Sequence, residues 1–120
     1  MWKIRFSQEF GEWYQALEKE IQIELIAKLD VLKNFGPGLG RPLVDTIKGS
    51  KISNLKELRL NFKRRPIRIF FLFDPARRIF IMVGGFKDGS REKKFYSTMI
   101  SQCEVIYARY QKERQENEDF

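Results

Sequence analysis

Histidine is missing altogether from these 120 residues, and cysteine occurs once, at Cys103. Without histidine there is no imidazole general base, no histidine-containing triad, and none of the commonest metal ligand. One thiol and no imidazole leave no plausible zinc set, so no metal or other cofactor is expected. A lone cysteine also excludes an intrachain disulfide, which points to a reducing compartment. No apolar run approaches about 18 residues and no apolar leader follows Met1, so the expectation is a cytoplasmic protein without a membrane span. Glycine and proline cluster in "FGPGLGRP", which lacks the lysine of a phosphate-binding loop and reads as a flexible connection.

Aromatic residues and positive charge are what the chain has in quantity. A hydrophobic fraction of 42%, with eleven Phe and two Trp, suits one folded domain over residues 1–120. The net charge is +7, and its location matters more than its size. Residues 56–94 hold twelve Lys or Arg against four acids, a net of +8, which leaves −1 for the rest. All the excess positive charge therefore lies in one segment, which suggests a phosphate-bearing partner; a merely solvated basic face is the alternative.

Periodicity outlines the elements. "MWKIRF" alternates and reads as a strand, after which Ser7 can cap a helix. Helical spacing runs from Phe10 to Leu32, as one long helix or as a hairpin broken near "LEKEIQ". Residues 36–54 show no strong pattern. Three strands follow at about 55–62, 66–73 and 78–86, then a helix over about 92–112 and a polar tail from 111 to 120. The order β-α-α-β-β-β-α predicts an α+β fold with a mainly antiparallel sheet.

Turn chemistry then sets the register. A two-residue turn at Lys63 and Arg64 places Leu60 opposite Ile67 and Arg59 opposite Arg68. A second two-residue turn, with Asp74 facing Arg77, places Phe70 opposite Ile81 and Arg68 opposite Val83. One face then carries Leu58, Leu60, Phe62, Ile67, Ile69, Phe71, Phe73, Phe80 and Met82, beneath the N-terminal helices. The other has Leu55, Phe70, Leu72, Ile79 and Ile81 at one end, under the last helix. Its other end, with Arg59, Arg68 and Lys87, is left open. Arginine facing arginine is unfavourable. Either an external anion resolves the pair, or an internal ion network around Glu57 does.

"LKELRL", "RIFFLFDP", "VGGFKDG" and "FY" resemble the RelE superfamily of toxins, specifically the phage-derived HigB-like branch, over residues 55–107. The resemblance implies a small antiparallel sheet with two N-terminal helices on one face and a C-terminal helix. It also implies the toxin of a type II toxin–antitoxin pair, an endoribonuclease that cleaves messenger RNA on the ribosome without a metal. The implied partner is a small helix-turn-helix antitoxin. A ParE-like toxin acting on gyrase, or a non-catalytic RNA-binding phage accessory protein, are the alternatives.

Under the nuclease reading, Arg59, Arg68, Lys87 and Tyr96 are the candidate catalytic residues. Arginine stays charged and can only clamp phosphate. Lys87, crowded by like charges, would favour its neutral amine and so suit proton transfer. Tyr96 either stacks and donates a proton or belongs to the core. Lys63, Arg64, Arg65, Arg91, Lys93 and Lys94 are the candidate contacts to the RNA backbone.

Overall fold

The computed structural model describes residues 2–89 and 91–117. Its strands and helices are β1 (Lys3–Phe6), α1 (Gln8–Gln15), α2 (Lys19–Phe35), β2 (Val44–Thr46), β3 (Lys56–Phe62), β4 (Arg65–Asp74), β5 (Arg78–Phe86) and α3 (Glu92–Glu116). The five strands form one sheet in the order β1-β5-β4-β3-β2. The sheet is mixed, because β1 runs parallel to β5 while the remaining pairs are antiparallel.

Ser7 does more than start a helix. Its Oγ accepts from the Phe10 N–H at 2.9 Å and donates to the Met82 carbonyl at 2.6 Å. One hydroxyl thus caps α1 and ties it to β5. The break between α1 and α2 needs no glycine or proline. Gln22 reaches back from α2 and donates to the Tyr14 carbonyl at 2.8 Å, which also accepts from the Leu17 N–H at 3.1 Å, so one carbonyl at the end of α1 ties the turn to α2. Leu17 in the connection packs against the core. Helix α2 ends at Gly36, whose φ of 61° and tight contact with the Trp2 ring leave no room for a Cβ.

The first hairpin has Phe62 opposite Arg65, Leu60 opposite Ile67 and Arg59 opposite Arg68. The second departs from the expected register. Its loop has three residues, with Arg77 left-handed at φ 61°, so Asp74 faces Arg78 and Phe71 faces Ile81. Ile79 and Ile81 therefore join Leu58, Leu60, Ile67, Ile69 and Phe71 under α1 and α2. Phe80 and Met82 lie with Leu55, Phe70 and Leu72 under α3, the reverse of the expectation. A β-bulge between Phe70 and Phe71 then adds the missing step, so that Phe70 faces Val83 and Arg68 faces Gly85. The two one-residue displacements add to a shift of two, which restores the alternation, and Lys87 returns to the face expected for it. Its N–H donates to the Pro66 carbonyl at 2.8 Å.

Gly84 and Gly85 lie within β5 and are places of close approach. A Cβ at Gly84 would sit 2.4 Å from the Trp13 ring of α1, and one at Gly85 2.9 Å from Met99 of α3. Residues 111–116, expected in the polar tail, continue α3, and Arg114 reaches buried Asp74 at 3.4 Å. Residues 118–120 of that tail lie outside the described residues.

Three groups resist ionisation in the folded chain. Burial pushes the Cys103 thiol up to about 12. Burial and a hydrogen bond to Asp74 raise the Tyr110 phenol, and burial with a bond to Glu57 pushes Tyr96 up to about 12. In each case the folded state favours the neutral form. That contribution to stability is complete below the unfolded values near 9 and 10 and is lost as pH rises toward 12. Urea midpoints should accordingly fall steadily above pH 9; a midpoint flat to pH 11 would contradict this account.

Candidate functional site

Alternation along β3 sends Glu57 and Arg59 to the α3 side of the sheet, and cross-strand pairing sets Arg68 beside Arg59. Left alone, two facing guanidiniums would repel. Glu57, only 3% exposed, lies among them. Its Oε2 accepts from Arg59 at 3.0 and 3.2 Å, and its Oε1 accepts from the Tyr96 hydroxyl at 2.6 Å. Arg68 Nε stands 3.6 Å from the same Oε1, within ion-pair range but beyond hydrogen-bond reach, and is a buried donor with no hydrogen-bond partner among the described residues. The other side of its guanidinium donates to the Ile67 carbonyl at 3.1 Å.

The cationic end is not left open. The first turns of α3 cross it, and Phe95 and Tyr96 pack on Phe70. Arg68 is consequently only 12% exposed, while Arg59 keeps 36% and Lys87 21%. Lys87 Nζ lies 2.6 Å from a Glu92 oxygen and 5.6 Å from the centre of the Tyr96 ring. The crowding of Lys87 by cations alone, expected from sequence, is thus replaced by a carboxylate neighbour. That hydrogen bond holds the Glu92 carboxyl below its usual range. Asp45, on the strand β2 that periodicity missed, adds a third acid at 3.1 Å from Arg59. Its carboxyl is also held low, first by the Thr46 N–H and then by Arg41.

The structure therefore brings Arg59, Arg68, Lys87 and Tyr96 together, each with a carboxylate beside it. Arg59 and Tyr96 form part of the wall of an open groove of about 650 Å³, with Arg41, Lys48 and Lys93, the acids Asp45, Glu57 and Glu92, and Ile47 and Ile100. Of the other candidate RNA contacts, Lys63, Arg64 and Arg65 are at the exposed tip of the β3–β4 hairpin. Arg91 precedes α3 as its cap residue, and Lys93 and Lys94 are exposed in its first turn. Sequence reasoning missed Asp45, Glu92, Arg41 and Lys48, for which no motif exists. The signal for Glu57 was its position two residues before Arg59 on one strand face, and it did mark the network.

Among the described residues no helix is long and apolar enough to cross a membrane. Residues 12–108 match the family model described as "Phage derived protein Gp49-like (DUF891)". HigB2 of Mycobacterium tuberculosis (strain ATCC 25618 / H37Rv), a protein named as a toxin, is 36% identical over 104 residues. HigB3 of the same strain, also named as a toxin, is 40% identical over 88 residues. These alignments cover 86% and 73% of this chain; they span about half of HigB2 (51%) and three quarters of HigB3 (75%). The isolated E. coli RelE toxin superposes with a TM-score of 0.60 at 12% identity, covering 83% of this chain and 99% of RelE. RelE in the archaeal RelE–RelB complex from Pyrococcus horikoshii OT3 gives 0.58 at 15%, covering 74% and 98%. Those two likenesses establish the fold alone. The sequence matches go further: this chain belongs to the Gp49-like family of phage-derived proteins and is a HigB-like member of it.

Proposed function

We propose that this chain is the toxin of a type II toxin–antitoxin pair and acts as a ribosome-dependent endoribonuclease on messenger RNA. The observation that carries the reading is the convergence of Arg59, Arg68 and Tyr96 on one buried carboxylate, Glu57, at an open groove whose wall mixes four cations with three acids. The kinship with proteins named HigB toxins supports it.

The reaction is attack of a ribose 2′-OH on the adjacent phosphorus, with breakage of the bond to the 5′-oxygen. It requires an acceptor for the 2′ proton, donors for the phosphoryl oxygens, and an acid for the leaving oxygen. Arg59 and Arg68 supply forked donors that suit a phosphate. Asp45 occupies the outer side of Arg59, so an RNA phosphate competes with Asp45 there while Glu57 stays beneath. Tyr96, its pKa pushed up to about 12 by burial and by Glu57, is protonated at neutral pH and able to serve as the acid. Lys87 is placed for proton transfer only as part of a pair. Its ammonium cannot accept a proton, whereas the ionised Glu92 carboxylate beside it can.

The partner under this reading is a cognate antitoxin, a small helix-turn-helix protein, and the site of action is the cytoplasm. The chemistry has a direct test. Products of the purified chain in a translating extract should carry a 2′,3′-cyclic phosphate and a free 5′-OH. Fragments with 5′-phosphate ends would mean a different reaction.

A further inference from the structure

The β3–β4 hairpin turns through Lys63 and Arg64, and both have left-handed backbone, with φ of 49° and 68°. A turn of this hand matches the twist of the strands but strongly favours Asn-Gly, because a Cβ is strained there. Four non-glycine residues among those described share the left-handed region. Asn54 is a type that tolerates it, and Arg77 gains a stack on Trp2, its guanidinium 4.9 Å from the ring centre. Arg64 has no such return. It is exposed, with no hydrogen bond or ion pair among the described residues. Lys63 reaches Glu20 at 3.3 Å and lies 5.3 Å from the centre of the neighbouring Phe62 ring, but its side chain is well exposed and contacts of either kind contribute little there. Arg65, the next residue, lies 3.9 Å over the Phe86 ring and 2.6 Å from Asp88.

The fold would therefore be more stable with a different turn, and what the present one supplies is charge at an exposed tip. We propose that this tip is a docking prong for an RNA phosphate backbone, separate from the groove. It stands four residues along the strands from the Arg59–Arg68 pair, on the order of 13 Å. No large exposed apolar side chain lies at residues 60–67, whereas a protein partner would ask for an apolar centre. A polyanion asks only for cations, and binds whatever its sequence. The proposal rests on the reading of this chain as RNA-directed, and deepens it by adding a binding station that acts apart from cleavage.

The test uses the full chain and a 2′-O-methyl RNA hairpin, which has no 2′-OH to attack. Binding is thus read even if the chain cuts nothing, so the two readings fail independently. Replacing the turn by Lys63→Asn with Arg64→Gly should raise Tm by several degrees. It should also weaken binding and flatten the dependence of log K on log salt by about 1 to 2. The single change Arg64→Gly should move both readouts the same way, by about half. A more stable variant that binds with unchanged affinity and slope would overturn the proposal. So would a lowered Tm, or lost binding to poly-glutamate with RNA binding intact, which would assign the tip to an acidic protein segment.

Discussion

Glu57→Ala is expected to cost about 3 kcal/mol or more of folding stability, a large share of what a domain this size possesses. Glu57 is 3% exposed and faces Arg68, itself only 12% exposed, so truncation leaves a nearly buried guanidinium without its counter-charge. The Tyr96 hydroxyl also loses its acceptor. Arg59, more exposed and still paired with Asp45, adds less. Urea denaturation would measure the loss, and a cost below 1 kcal/mol would show that the network behaves as surface charge. Glu57→Gln retains an acceptor for Tyr96 but not the charge, and should fall between. The same variants report on Tyr96 directly. Since Glu57 helps to raise its pKa to about 12, the absorbance midpoint of Tyr96 should drop toward 10 in Glu57→Ala.

The second large effect is on catalysis. Arg68→Ala should lower RNA cleavage by about 10²–10³-fold, the usual loss when a transition-state donor is removed. It should do so with the fold retained, because Glu57 keeps Arg59 and Tyr96 as hydrogen-bond partners, and Arg68 gives up only a long 3.6 Å approach to Glu57 and a bond to the Ile67 carbonyl. Arg68→Lys should not restore the rate, since a single ammonium lacks the planar fork. Loss of the fold in Arg68→Ala would mean that the residue is structural first. Unchanged cleavage would remove it from the site.

What could be read from sequence was decided by local chemistry. The turn at Lys63 and Arg64 is short and bounded by two alternating runs, so Arg59 was placed opposite Arg68 from sequence alone. The second hairpin was misread because "DPAR" suits a two-residue turn as well as the three-residue loop that forms. The bulge at Phe70 is invisible in a run of apolar residues, every one of which suits either face. Lys87 reached its face only because these two displacements add to an even shift, which leaves the face unchanged and the partner two residues away. Strand β2, three residues long, is too short to show alternation, and with it Asp45 went unseen beside Arg59. The α1–α2 break is closed by the Ala16 and Leu17 N–H groups and braced by Gln22 on the Tyr14 carbonyl, contacts that no local pattern encodes. Glu92 escaped notice for the same reason, since its pairing with Lys87 depends on how α3 begins.

In the proposed reaction the arginine pair and the tyrosine gathered by Glu57 cut messages during translation. Mapping 5′ ends of transcripts in cells that express the wild-type chain or Arg68→Ala tests it most directly. The account expects discrete cuts with the wild-type chain, lost when initiation is blocked and absent with Arg68→Ala. Identical cuts from both chains, or growth arrest by the wild type without any cut, would contradict it.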